Sequence, residues 1–181
     1  MSVGQLAALA LAAIVVFWMV GAYNRLVGMR NAIGVAWSQV DELLKRRGVA
    51  IEPALAALRG PLAQEHGALD ALLTAQARVA AAADALRARP LVPPLAAALA
   101  AAEAALGPAA TRVLALTDGQ PALLADAAIG PALQLLRDTG PRLEIARQAF
   151  NEAVLAYNQS VDQVPTCWLA RLFGFAAAGA L

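Results

Sequence analysis

Hydrophobic positions fall into two regimes along this chain. Residues 3–22, VGQLAALALAAIVVFWMVGA, carry no charge and one clearly polar side chain, Gln5. At 1.5 Å per residue such a stretch reaches about 30 Å, the thickness of a bilayer's hydrocarbon core, and it predicts a single spanning helix. From Tyr23 onwards the apolar residues are periodic instead. Leu26, Ile33, Trp37, Val40 and Leu44 stand near 3.5 residues apart, with Arg30 and Arg47 on the same stripe. The pattern is that of a long helix leaving a membrane. Gly48, a residue suited to a helix end, predicts its termination after Arg47.

Pro53 suits a helix start, and Leu55, Leu58, Leu62, Leu69, Leu72, Leu73 and Val79 carry an apolar stripe through residues 54–88, interrupted by Gly60-Pro61. A third helix is expected from Pro94 to about Leu116, between the Arg89-Pro90-Leu91-Val92-Pro93-Pro94 run and Asp118-Gly119-Gln120-Pro121. The last helical stretch, about 122–163, places Ile129, Leu133, Leu136, Gly140, Leu143, Arg147, Phe150, Val154, Tyr157 and Val161 at alternating steps of four and three, a heptad seam like that of a coiled coil.

Four Gly-Pro dipeptides, at 60–61, 107–108, 130–131 and 140–141, lie inside this pattern. Each removes an amide donor and invites a kink, although an Ala/Gly/Pro-rich composition also produces such pairs by drift. With breaks at Pro61 and Pro141, the segments 23–48, 61–88, 94–117 and 141–163 become rods of about 35–40 Å. The expected fold is therefore all-α: a transmembrane helix continuing into an antiparallel up-down four-helix bundle with kinked or broken helices. Residues 1–22 form the anchor, 23–163 the bundle, and 164–181 a short amphipathic tail, with 52–59 and 121–139 as a distal cap.

Alternating rods bring the fourth back to the membrane. Pairing Tyr23 with about Gln163 sets Trp37 opposite Phe150, Arg30 near Glu152, Arg147 near Asp41, and Arg47 near Asp138. In the tail, Trp168, Leu169, Leu172, Phe173 and Phe175 surround Arg171, either as an interfacial anchor with a snorkelling arginine or as a plug on the open end of the bundle. Arg25, Arg87, Arg89 and Arg171 make a basic rim against Asp84 and Asp162, compatible with an anionic leaflet. Tyr23-Asn24 and Tyr157-Asn158 fall at this same end, as a polar ring or as groups that set helix register. Lys45-Arg46-Arg47 is a basic helix end that either binds an acidic partner or is simply solvated.

Composition agrees with lipid contact: 60% of the 181 residues are hydrophobic, against roughly 45–50% in soluble domains. The absence of a basic residue before the apolar run, and the bulk of Phe17-Trp18-Met19 near its end, favour an uncleaved anchor over a signal peptide. Arg25 and Arg30, following the span, place the bundle in the cytoplasm by the positive-inside tendency. A net charge of +1 leaves no nucleic-acid footprint. One cysteine, Cys167, excludes an intrachain disulfide and reads as a small apolar residue or an acylation site. His66, the single histidine, reads as a surface or seam residue, because Glu65 beside it faces elsewhere on a helix. No phosphate loop, nucleophile elbow or carboxylate pair stands out, so no catalytic residue, metal or cofactor is expected.

Several blocks together resemble the LemA family of bacterial single-pass membrane proteins. They are Tyr23-Asn24-Arg25-Leu26-Val27, Arg30-Asn31, Ala36-Trp37-Ser38, Leu44-Lys45-Arg46-Arg47, Phe150-Asn151-Glu152-Ala153-Val154, Tyr157-Asn158 and Phe173-Gly174-Phe175. The chain departs from the family pattern after the basic run, where Gly48 to Ala54 lack the usual aspartate and asparagine. It departs again before the last helix, where Gln120-Pro121, Gly130-Pro131 and Gly140-Pro141 stand. The resemblance implies a membrane-anchored helical bundle without established enzymatic activity, and a relative associated with magnetosome membranes. The expected function is a non-enzymatic scaffold or adaptor in the bacterial cytoplasmic membrane, with the bilayer and membrane or envelope proteins as partners and homo-oligomerisation left open. The alternative is a lipid-binding or membrane-remodelling element acting through the aromatic tail.

Overall fold

A computed structural model describes residues 2–127 and 129–181. Six helices follow in order: α1 (Val3–Leu58), α2 (His66–Ala88), α3 (Pro93–Asp118), α4 (Pro121–Ala125), α5 (Gly130–Asp162) and α6 (Thr166–Leu172). No strand occurs among the described residues. Ser2 opens α1 with a capping box: its Oγ accepts from the Gln5 amide at 3.4 Å, while Gln5 Oε1 accepts from the Ser2 amide at 2.9 Å.

Residues 2–18 of this rod are all exposed, and the most apolar window of α1 has a mean hydropathy of 2.3 with none of it buried. It is a candidate membrane span. Helix α3 also passes by length and hydropathy, but its Ala96, Leu99, Leu106 and Val113 are buried. That burial is expected of an alanine-rich core helix.

Below the exposed segment, α1 packs on α5 and α2, α2 packs on α3, and α6 lies against α5 and α1. The seam residues Leu26, Ile33, Trp37, Val40, Leu44, Phe150 and Val154 are all buried. Trp37 and Phe150 meet edge to face, with ring centroids 6.2 Å apart and planes at 68°.

Helix ends differ from the expected ones. Helix α1 does not stop at Gly48 but runs through Pro53 to Leu58. Its buried stripe continues as Leu44, Ile51, Leu55 and Leu58, so apolar packing on both sides of the proline offsets the lost amide donor. Gly48 lies instead against α2, where an added Cβ would stand 2.9 Å from Gln76 Nε2. Gly60-Pro61 does divide the chain, although the next helix starts at His66 rather than 61. Pro108 lies inside α3 and Pro141 inside α5. Pro131 sits in the first turn of α5, where a missing amide is harmless. The expected cap therefore shrinks: 52–58 belong to α1 and 130–139 to α5, leaving the turn after Leu58 and the short α4.

Candidate functional site

The end of the helices nearest the exposed segment is closed by the tail. At the end of α6 the amide of Gly174 donates to Arg171 O at 3.4 Å and that of Phe175 to Ala170 O at 2.8 Å, the paired bonds of a Schellman turn. Gly174 has φ +71°, a conformation that favours glycine, and the Phe-Gly-Phe block is thereby a chain reversal. The reversal divides the aromatic cluster. Leu169 and Phe175 turn inward and are buried, whereas Trp168, Arg171, Leu172 and Phe173 stay exposed. Leu169 and Phe175 thus plug the end of the packed helices, and Trp168, Leu172 and Phe173 face outward.

Beyond Phe175 the tail runs between α3 and α5, which do not pack on each other closely. Asn158 Nδ2 donates to Ala178 O at 2.9 Å, and Asn158 Oδ1 accepts from the Ala178 amide at 2.8 Å. Asn151 treats Leu181 in the same way, at 2.8 and 2.7 Å. Tyr157 OH donates to Ala176 O at 3.0 Å. On the other side Gly179 donates to Leu91 O at 3.3 Å, and a Cβ there would lie 2.4 Å from Pro93 Cα. Only glycine fits this approach.

Tyr23-Asn24 and Tyr157-Asn158 are joined through the tail. Tyr23 is partly exposed and meets the rings of Phe173 and Phe175 at 5.2 and 5.6 Å, Asn24 is exposed, and Tyr157 is fully buried. Burial pushes the Tyr157 phenol above its ordinary value, with the charge of Arg30 opposing.

The basic run also divides. Lys45 and Arg46 are exposed and pair within their own helix, with Asp41 at 2.8 Å and Glu42 at 2.7 Å, while Arg47 is buried. The three polar pairings expected between α1 and α5 are replaced. Arg47 grips Glu103 of α3 with both terminal nitrogens, one of them at 3.0 Å to Oε2. Arg147 pairs with Glu144 of its own helix at 2.8 Å. Arg30 lies over the Phe175 ring at 5.6 Å, and Glu152 and Asp138 accept from Gln148 and Gln134. The polar side of α1 faces α2 and α3, so its charges find partners there.

Asp41 is the centre of that polar side. Its buried carboxylate accepts from Arg87 Nε at 3.0 and 3.1 Å and from Lys45. Burial pushes the carboxyl pKa up, but the hydrogen bonds from Arg87 and Lys45 and their charges outweigh it and hold Asp41 below the ordinary carboxylate range. Arg87, paired also with Asp84, is raised by the same bonds. Of the expected basic rim, Arg87 is thus engaged on Asp41, Arg25 donates to Ser160 Oγ at 2.9 Å, and Arg89 and Asp162 stay exposed.

Sequence reasoning missed Asn151 and the Asp41–Arg87 and Arg47–Glu103 pairs. Asn151 and Asn158 are seven apart and so share a helix face, the one signal that could have joined them. His66 is exposed at the first residue of α2, and Cys167 is half-buried. Among the described residues no group of three or more His, Cys, Asp or Glu is gathered for a metal.

An all-helical body carrying an unburied apolar N-terminal rod defines the class: helical proteins with a candidate membrane anchor. The LemA family model matches residues 36–180, and the chain belongs to the LemA family. No curated protein matches it.

Proposed function

We propose that this protein is a membrane-tethered helical-bundle scaffold, without catalytic activity, that docks proteins of the membrane or envelope. The observation that carries the reading is the continuity of α1 from Val3 to Leu58. The exposed apolar segment and the wall of the packed body are one rod, so the body is held at a fixed attitude to the bilayer. The antiparallel up-down arrangement is supported by contacts whose numbers run in opposite senses. On α5, Arg25 meets Ser160 and Trp37 meets Phe150; on α2, Asp41 meets Arg87 and Gly48 faces Gln76.

In this reading the apolar rod crosses the bacterial cytoplasmic membrane once, with the body on the cytoplasmic side where Arg25 and Arg30 begin it. Lys45 and Arg46 offer an exposed basic edge to acidic partners, and Tyr23 and Asn24 offer a polar edge at the membrane surface. Side-by-side homo-oligomers are compatible with such a rod. Crosslinking in native membranes compares wild type with Lys45→Ala/Arg46→Ala. Loss of specific adducts is expected, and an unchanged adduct pattern would remove the basic edge from the proposal. A reporter fused at Leu181 reads the orientation.

A second reading, lipid binding by the tail, is favoured by the exposed Trp168, Leu172 and Phe173 beside Arg171, with Phe173 against Tyr23 at the end of the apolar rod. A nitroxide at position 168, in a Cys167→Ala background in lipid nanodiscs, should be more accessible to oxygen than to a polar nickel chelate. The reverse ratio removes this reading.

A further inference from the structure

Val16, Val20, Tyr23, Val27 and Arg30 follow one another along α1 in steps of four and three, which sets them within about 80° of one another around the helix. Two hollows lie along this face. The upper one, about 300 Å³, is apolar and is lined by Val16, Met19, Val20 and Tyr23 of α1 and by Phe173 of the tail. The lower one, about 570 Å³, is lined by Val27, Arg30 and Asn31 of α1 and by residues 88–92, the turn from α2 to α3, with Arg89 among them. Tyr23 ends the first hollow and Val27, one turn on, begins the second. No carboxylate lines the lower hollow, and neither Arg30 nor Arg89 has an acidic partner among the described residues. Arg46, Arg47 and Arg87 all have one.

We propose that the two hollows together hold one phospholipid with a net negative headgroup, its acyl chain along Val16 to Tyr23 and its phosphate at Arg30 and Arg89. Depth agrees with this. Val27 and Arg30 follow Tyr23 by about 6 and 10 Å along the axis, and the headgroup layer occupies about the first 5–8 Å beyond the hydrocarbon. Side chains on a helix lean towards its N-terminus, which here is the bilayer. Arg30 leans that way: its guanidinium carbon is 5.6 Å from the centre of the Phe175 ring, and that ring meets Tyr23 at 5.6 Å. Charge agrees as well. Two guanidinium groups without a counter-charge, lining one hollow, suit a phosphate, which accepts their paired N–H bonds. A zwitterionic headgroup would bring its own ammonium into the same positive field, so an anionic one is preferred. A soluble phosphate shares this chemistry, but the apolar hollow directly above, on the same face of the same helix, commits the site to a lipid. The site is built from α1 and the α2–α3 turn and is separate from insertion of Trp168 and Leu172. It rests on residues 3–22 being a membrane span.

Native mass spectrometry of the full chain, released from detergent micelles doped with equal amounts of phosphatidylglycerol and phosphatidylcholine of the same acyl length, measures the preference. One phosphatidylglycerol adduct is expected, favoured about tenfold or more, since each arginine near an anionic headgroup is worth about 1 kcal/mol. Arg30→Gln/Arg89→Gln should abolish the preference. Arg78→Gln/Arg142→Gln, which removes as much charge from exposed arginines elsewhere, should leave it unchanged. Arg89→Glu, in an exposed turn position, should lose the preference by itself and replaces the double variant if Arg30→Gln loosens the tail at Phe175. Inorganic phosphate and glycerol 3-phosphate at millimolar concentration should not displace the lipid. Displacement would make a soluble phosphate the ligand and overturn the proposal, as would no preference in wild type or an equal loss in both double variants. Carbonate extraction of membranes tests the span separately: a chain that stays with the membrane yet shows no preference loses the lipid site and keeps its anchor, whereas a chain that is released loses both.

Discussion

Asn151 and Leu181 exchange two hydrogen bonds, the side-chain amide of one pairing with the backbone N–H and C=O of the other at 2.7 and 2.8 Å. Asn158 does the same for Ala178, one heptad further along α5. Helix α5 thus reads the tail by its backbone. Side-chain identity matters chiefly at Gly179, where α3 comes too close for a Cβ.

Replacing Asn158 by Leu should remove both bonds and leave the N–H and C=O of Ala178 unsatisfied, at a cost of about 2 kcal/mol in denaturant unfolding. Hydrogen exchange at the Ala178 amide should speed up by about tenfold or more. Unchanged protection would mean that packing alone holds the tail.

Gly174→Ala places a side chain at φ +71° and should destabilise the chain by about 1 kcal/mol through its Schellman turn. Gly179→Val should act on the same strap from its other end, through the clash with Pro93. Limited proteolysis after Phe175 is the readout: both variants should be cut faster than wild type.

Asp41→Asn should cost about 2 kcal/mol at neutral pH, since it removes the buried carboxylate on which Arg87 and Lys45 converge and leaves Arg87 only the exposed Asp84. The folded-state pKa of Asp41 lies below its ordinary value of 3.8, so its contribution is fully present above about pH 4. It falls as pH drops through the folded pKa. Melting temperatures of wild type and variant should therefore differ at pH 7 and converge towards pH 2.

Arg47, buried, and Glu103, half-buried, form a pair that is costly to break and cheaper to replace. Glu103→Leu should destabilise by about 3 kcal/mol, leaving the buried Arg47 charge alone, and Arg47→Met by less, since Glu103 keeps some contact with water. The double variant should lose less than the sum by about 1 kcal/mol or more. Strict additivity in a double-mutant cycle would mean that the two groups do not interact.

The apolar spacing of Leu26 to Leu44 and of Phe150 to Val161 picks out residues that are buried, because a helical stripe is a local property and burial follows it. The exposed apolar rod was equally legible, since twenty uncharged residues leave little else for it to be. The tail was half legible: its aromatic content was plain, but which residues turn inward depends on a reversal at Gly174 and on Asn151 and Asn158, distant in sequence.

Residue order by itself determined the helical class, the seam between α1 and α5 and the candidate anchor, each written in spacings of a few residues. Tertiary structure decided where helices end and whom the charges meet. A proline inside a helix costs about 3 kcal/mol, and the residue itself does not say whether the helix breaks there. Pro53, Pro108 and Pro141 are carried through their helices, whereas the chain turns at Gly60-Pro61 although Leu58 and Leu62 are buried on either side. Arg47 joins Glu103, and Asp41 joins Arg87, because α3 and α2 face the polar side of α1. Such partners come from packing between distant segments, which no local period records.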